Sequence, residues 1–242
     1  MPVAGETASG TRASRGDHVP TIDFEKQRKN MVESQVRPSD VTDRRIMRAM
    51  LEVPRELFVP TELKPMAHMD EKIPLTKATA GSPARGLMAP RAFAKLLQLA
   101  EIGEGAIVLD VGCATGYSTA VIAKIAQTVV ALEVDPALAE SAGKTLEQLG
   151  HVNAAVVTGS LNNGYASEGP YDAIVVSGAV ETVPAVLLDQ LKDGGRLVAV
   201  MSGLPPRATV WRRIGRSFDR REAFEAAAPA LPGFEVSKDF VF

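Results

Sequence analysis

The stretch VLDVGCATGYSTAVIA, residues 108–123, changes character twice along its length. An apolar run, Ile107, Val108 and Leu109, ends in Asp110. A glycine-bearing turn follows, then apolar residues in a helical pattern. A short apolar run closed by a turn is how a strand buried on both faces reads. The segments that follow repeat the alternation. AIVLDV, TVVALEV, NAAVVT, YDAIVVS and GRLVAVMS read as strands, and 117–126, 136–149 and 183–191 as helices. Pro136 suits the first turn of its helix. Such alternation predicts an α/β fold with a doubly wound, mostly parallel sheet covered on both faces. ATVWRRI and FEVSKDFVF read as two more strands, an antiparallel addition at the sheet edge.

Upstream of residue 106 the pattern is helical. FEKQRKNMVESQVRP predicts a helix that stops before Pro38. Asp43 can cap a second helix with Ile46, Met47, Met50 and Leu51 on one face. Pro54, Pro60, Pro65, Pro74 and Pro83 punctuate a long loop region of the kind that covers sites. Pro90 opens a further helix, with Phe93, Leu96, Leu97 and Ala100 as its core-facing stripe. Residues 1–20 are rich in Ala, Gly, Ser and Thr and are expected to be a disordered tail.

The chain has 242 residues, 45% of them hydrophobic, which suffices for a sizeable core. A net charge of −2 sets up no field that would gather nucleic acid or an anionic membrane. No apolar run approaches the length of a membrane helix. A single cysteine, Cys113, permits no internal disulfide, and a cytoplasmic location is expected. The three histidines, 18, 68 and 151, show no metal-ligand spacing, so no metal is expected.

In a doubly wound sheet, ligands bind beyond the carboxyl ends of the strands at the switch point. The glycine loop is the place to look. A phosphate-cradling loop needs Gly-Lys-Ser/Thr, but here Gly116-Tyr117-Ser118 has no lysine. A dinucleotide fingerprint needs three glycines, and here the positions hold Gly112, Ala114 and Tyr117. A nucleoside without phosphates fits better. Glu133 ends the next strand and can accept both hydroxyl hydrogens of a ribose. The amides of 112–117 suit a carboxylate group. Asp110 puts negative charge near an amine or cationic centre. A ribose, an amino-acid end and a positive sulfur together describe S-adenosylmethionine.

VLDVGCATGY with VVALEVDP resembles the motifs of Rossmann-like S-adenosylmethionine-dependent methyltransferases. MVESQV, DRRIMRAMLEVPRELFVP, AHMDEKIPL, APRAFAKLLQLAEI and GPYDAIVVSGAVETVPAVLLDQLKDGGRLVAV resemble protein-L-isoaspartate O-methyltransferases in particular. The resemblance covers roughly 26–203. It implies one domain over 21–242: N-terminal helices and a substrate-side segment to 104, a cofactor-binding core over 105–205, and a C-terminal extension from 206. It implies donor contacts from Asp110, Gly112, Cys113, Ala114, Gly116, Tyr117, Glu133, Val134, Ser160 and Leu161. Asp70, the residue at position 88 and Ser177 would stand beside the reacting groups. The implied partner is a protein or peptide bearing isoaspartate, with neither nucleic acid nor membrane. The implied chemistry is in-line attack of a carboxylate on the activated methyl, where proximity and orientation supply ~7–11 kcal/mol.

The chain also departs from that family's pattern. The family's threonine and serine before the first core helix are Gly86 and Met88 here, and a thioether cannot donate a hydrogen bond. Arg85 and Arg91 flank the gap and can supply compensating charge. Ser160 stands where the family has an aspartate that addresses adenine. His68 replaces an aromatic, while Asp70 matches. A different acceptor, or a binding protein without catalysis, are the alternatives these departures raise. Arg207, Arg212, Arg213, Arg216, Arg220 and Arg221 crowd the tail beside Trp211 and read as a solvated strand and loop.

Overall fold

The computed structural model describes residues 22–79 and 82–236. The tail expected over 1–20 lies outside the described residues.

The first helix, α1 (Phe24–Met31), is capped by Asp23, whose side chain accepts from the Lys26 amide. It continues as a wider turn over Val32–Val36 and a tight turn over Arg37–Ser39, which takes in Pro38. Asp43 caps α2 (Arg44–Glu52) by accepting from the Arg45 amide, and Ile46, Met47 and Met50 are buried. The proline-rich region forms tight turns at Arg55–Phe58 and Thr61–Met66. It then forms a small antiparallel ladder, β1 (Ile73–Pro74) with β2 (Gly86–Leu87). Helix α3 (Pro90–Ala100) starts on its proline and buries Phe93, Leu96, Leu97 and Ala100, as the stripe predicts.

Seven strands form the main sheet. They are β3 (Ile107–Val111), β4 (Thr128–Glu133), β5 (Ala154–Thr158), β6 (Tyr171–Val180), β7 (Leu191–Met201), β8 (Arg207–Ile214) and β9 (Ser217–Glu225). Their order is β5-β4-β3-β6-β7-β8-β9. The first five are parallel, and β8 and β9 pair antiparallel to their predecessors. The chain winds outward from β3 to β5, then returns to β6 on the other side of β3. The carboxyl ends of β3, β4 and β6 therefore converge at the switch point.

The strands alternate between two cores. Val108, Val129, Ala173, Val175 and Val198 face a cluster shared with α2, α3 and α4 (Tyr117–Ala123). Leu109, Val130, Leu132, Ile174 and Leu197 face the other. Helix α5 (Pro136–Gln148) lies on the first face, where Ala142 meets Ala131 and Cys113. The second face has shorter covers: a tight turn over Leu161–Asn163, helix α6 (Ala185–Leu188), and the late residues Leu231 and Phe234.

Two expectations need correction. The helix expected over 183–191 is a single turn, because Leu191 already begins β7. The described part of FEVSKDFVF, Phe234–Val236, is not a strand. Among the described residues the last strand is instead β9, whose charged sequence SFDRREAFE conceals it. It lies at the open edge, so most of its residues are exposed and no apolar alternation is required. Gly215, at φ 60°, makes the tight turn into it.

Candidate active site

The loop after β3 is built on left-handed backbone. Gly112 has φ 79°, Gly116 φ 94° and Ala114 φ 51°. Gly116 also lets the loop close on α5, since a β-carbon there would lie 3.0 Å from that of Ala142. Ala114 accepts the left-handed conformation at a cost of roughly 1–2 kcal/mol. In return its amide reaches the Glu133 carboxylate at 2.7 Å. The loop amides are largely committed within the chain: those of Gly112 and Cys113 donate to the Leu132 carbonyl, and that of Gly116 to the Cys113 carbonyl.

Asp110 is fully buried at the end of β3. Its Oδ2 accepts from the hydroxyls of Ser118 (2.6 Å) and Thr119 (2.7 Å), and its Oδ1 from that of Ser177 (2.6 Å). Burial pushes its carboxyl above the ordinary range, and the three hydroxyls only partly offset that. Ser177 thus stands beside Asp110, three residues before the end of β6, where the pairing with β7 is irregular.

Glu133, also fully buried, ends β4. Its Oε1 accepts from the amides of Val134 (2.9 Å) and Asp135 (3.2 Å). Its Oε2 accepts from Ala114 and from Arg85 Nη2, the latter at 2.6 Å. Arg85 is itself 4% exposed. Its Nε and Nη1 have no hydrogen-bond partner. The carboxylate expected to take ribose hydroxyls is therefore already paired. Arg85 was singled out for its charge, but no pattern in the sequence joins it to Glu133.

A second intruder comes from the end of the chain. A β-carbon on Gly112 would lie 2.8 and 2.9 Å from the methyl carbons of Leu231. One on Gly178 would lie 2.6 Å from Leu231 Cγ and 2.7 Å from the Pro229 carbonyl oxygen. The space between the loop and the β2–α3 connection, lined by Arg55, Met88, Cys113, Tyr117 and Ser177, amounts to about 20 Å³. That is room for a water molecule. A nucleoside with an amino-acid tail needs a pocket of roughly 300 Å³ or more. The donor set has the right chemistry for S-adenosylmethionine, but with Arg85 and Leu231 in place this small cavity does not hold it; a separate space of about 520 Å³ opens beside Arg85, Gly86, Pro229 and Ala230.

The remaining candidates are scattered. Met88 is buried beside the small cavity, and its carbonyl accepts from Arg55 Nη2 at 2.7 Å. Arg55, fully buried, was not anticipated; its guanidinium lies 4.4 Å from the centre of the Tyr117 ring. Tyr117 also packs against Phe58 and Phe93, so it is a core residue with an unpartnered hydroxyl. The Cys113 thiol is buried and held well above its ordinary pKa, first by that burial and then by Asp110 and Glu133. It is no nucleophile. Leu161 is buried, whereas Ser160 and Val134 are exposed. Asp70 lies elsewhere. It pairs with Arg91 at 3.0 Å and lines a separate cleft of about 480 Å³ with Lys72 and Lys95.

Gly86 has a structural reason to be glycine. A β-carbon there would stand 2.7 Å from the Ile73 carbonyl oxygen across the β1–β2 ladder. Among the described residues no three His, Cys, Asp or Glu side chains cluster as a metal site. No described helix is long and apolar enough to cross a membrane.

Known proteins match this architecture. The family model for protein-L-isoaspartate(D-aspartate) O-methyltransferase matches residues 26–213. Protein-L-isoaspartate O-methyltransferase 2 of Shewanella sediminis is 38% identical over 183 residues, covering 74% of this chain and 72% of the relative. A solved protein-L-isoaspartate O-methyltransferase superposes with a TM-score of 0.69 at 25% identity, over 84% of this chain and 66% of that one. A Plasmodium falciparum β-aspartate methyltransferase, solved with S-adenosyl-L-homocysteine, superposes with a TM-score of 0.70 over 87% of this chain and 99% of that one. At 18% identity that likeness concerns the fold. With Asp110 and Glu133 at adjacent strand ends around the glycine loop, and the match running through both, the chain belongs to the protein-L-isoaspartate(D-aspartate) O-methyltransferase family.

Proposed function

We propose that the protein transfers a methyl group from S-adenosylmethionine to the side-chain carboxylate of isoaspartyl residues in proteins or peptides. One observation carries the reading. Asp110 and Glu133 sit fully buried at the ends of adjacent strands, flanking a left-handed glycine loop within the stretch the family model matches. Burying two carboxylates this close is unfavourable. A donor bearing an amine, a sulfonium and a ribose diol gives such a pair a purpose.

The acceptor side is supported by different residues. Gly86 and Met88 bring no side-chain donor to the β2–α3 connection, so recognition of a carboxylate falls to cations and backbone amides. Arg85, just before β2, is the cation next to that connection, and two of its guanidinium nitrogens are buried without partners. Asp110 holds Ser177 by its hydroxyl, which fixes that side chain three residues before the end of β6. Three of the six arginines of the β8–β9 hairpin are paired within the chain. Arg207 lies near Glu222 and Glu225, Arg220 near Glu222, and Arg213 is committed to backbone carbonyls. The lone buried cysteine is in keeping with a cytoplasmic protein.

The test is transfer of labelled methyl from S-adenosylmethionine to an isoaspartyl peptide and to its ordinary aspartyl isomer. Base-labile label on the first and none on the second is the expected result. Equal labelling would point to another acceptor; none on either would remove the assignment.

A further inference from the structure

The geometry points to a donor site filled by the protein's own chain: Arg85 and the Pro229–Leu231 segment occupy it, and the donor enters by displacing them. This rests on the methyltransferase reading above and adds a step that precedes it.

The segment is held as a short extension of the sheet. The Ala179 amide donates to the Pro229 carbonyl at 2.7 Å, and the Leu231 amide to the Ala179 carbonyl at 2.9 Å. Ala230 thereby pairs in parallel with Ala179, at the carboxyl end of β6. That places Leu231 over Gly112 and Gly178, and at Gly178 a side chain would run into the Pro229 carbonyl. On the other side, Arg85 Nη2 lies 3.5 Å from where a Gly112 β-carbon would stand. Side chains from the β2 region and from the chain end thus meet over the glycine loop.

The occupancy is mutually exclusive with a nucleoside. Guanidinium and ribose diol both donate hydrogen bonds, and Arg85 already holds Glu133 Oε2, which a diol would need. The occupant is also built to leave. Two of Arg85's three nitrogens are buried without partners, which weakens its hold. The approach to the segment, Ala226–Ala230, carries four alanines and one proline, with little side chain to anchor it. If only a fraction of molecules is open, the apparent affinity falls by that fraction.

Hydrogen exchange on the full chain, with and without S-adenosylhomocysteine, tests this without any substitution. The nucleoside should protect residues 110–117 and accelerate exchange at the Ala179 and Leu231 amides. Calorimetric titration of Leu231→Ala and Gly178→Ala gives the second readout. The first removes the plug's bulk, and the second drives a methyl into the Pro229 carbonyl and Leu231. Both should tighten S-adenosylhomocysteine binding by roughly tenfold or more, because each weakens the closed form and so raises the open fraction. If the nucleoside binds but protects Leu231, or binds the folded variants no more tightly, the plug is refuted while the methyltransferase reading stands. If neither wild type nor variants bind at millimolar nucleoside, both fall together.

Discussion

Replacing Arg85 by methionine isolates the contact that most distinguishes this site. The side chain keeps its approximate bulk and loses its charge. Glu133 then remains fully buried, with three backbone amides and no cation. Removing one partner of a buried pair typically costs ~3–5 kcal/mol. Two terms reduce that figure here. The amides still support the carboxylate, and two unpartnered guanidinium nitrogens, each worth up to about 1–3 kcal/mol of desolvation, disappear with the arginine. The net expectation is a loss of roughly 1–3 kcal/mol. For a domain of this size that lowers Tm by about 2–4 °C per kcal/mol, so roughly 2–12 °C in all. Calorimetric unfolding of Arg85→Met without ligand measures it. A Tm that is unchanged or higher at neutral pH would refute the argument, because it would mean the arginine's own burial outweighs the pair.

Three further predictions follow from neighbouring residues. Asp110→Asn removes a buried charge and keeps one acceptor oxygen, while the hydroxyl or hydroxyls facing the new amide nitrogen can turn to accept from it, so neutral-pH stability should stay within about 1 kcal/mol of wild type or rise. Because the folded pKa of Asp110 is raised by burial, wild-type stability should gain on the asparagine variant as pH falls through that pKa, and urea titrations that diverge the other way would contradict the assignment. Gly86→Thr installs the family's residue but drives a side chain into the Ile73 carbonyl; it should cost ~1–3 kcal/mol by overpacking, and a variant as stable as wild type would contradict the clash. Tyr117→Phe deletes a buried hydroxyl that has no partner and keeps the ring against Arg55, so chemical denaturation should show equal or greater stability.

The legible part of this protein was local. Asp43 announces a helix start because a carboxylate just ahead of an amide can cap it wherever the helix goes, and Pro136 announces another because its fixed φ suits a first turn. The stripe from Phe93 to Ala100 and the apolar runs of β3, β4 and β6 carry their periods within a few residues, so sheet and helices were readable before any contact was known. Asp110, Gly112, Gly116 and Glu133 were readable for the same reason: a strand end and its turn form one continuous stretch. Tertiary structure alone decided what stands over that loop. Arg85 meets Glu133 across 48 residues, and Leu231 meets Gly112 from the far end of the chain. The charged edge strand β9 and the separation of Asp70 from the loop belong to the same class. A periodic pattern tells which face of an element is buried. Which distant side chain fills the space above it depends on how the elements pack, and that is written in no single stretch of sequence.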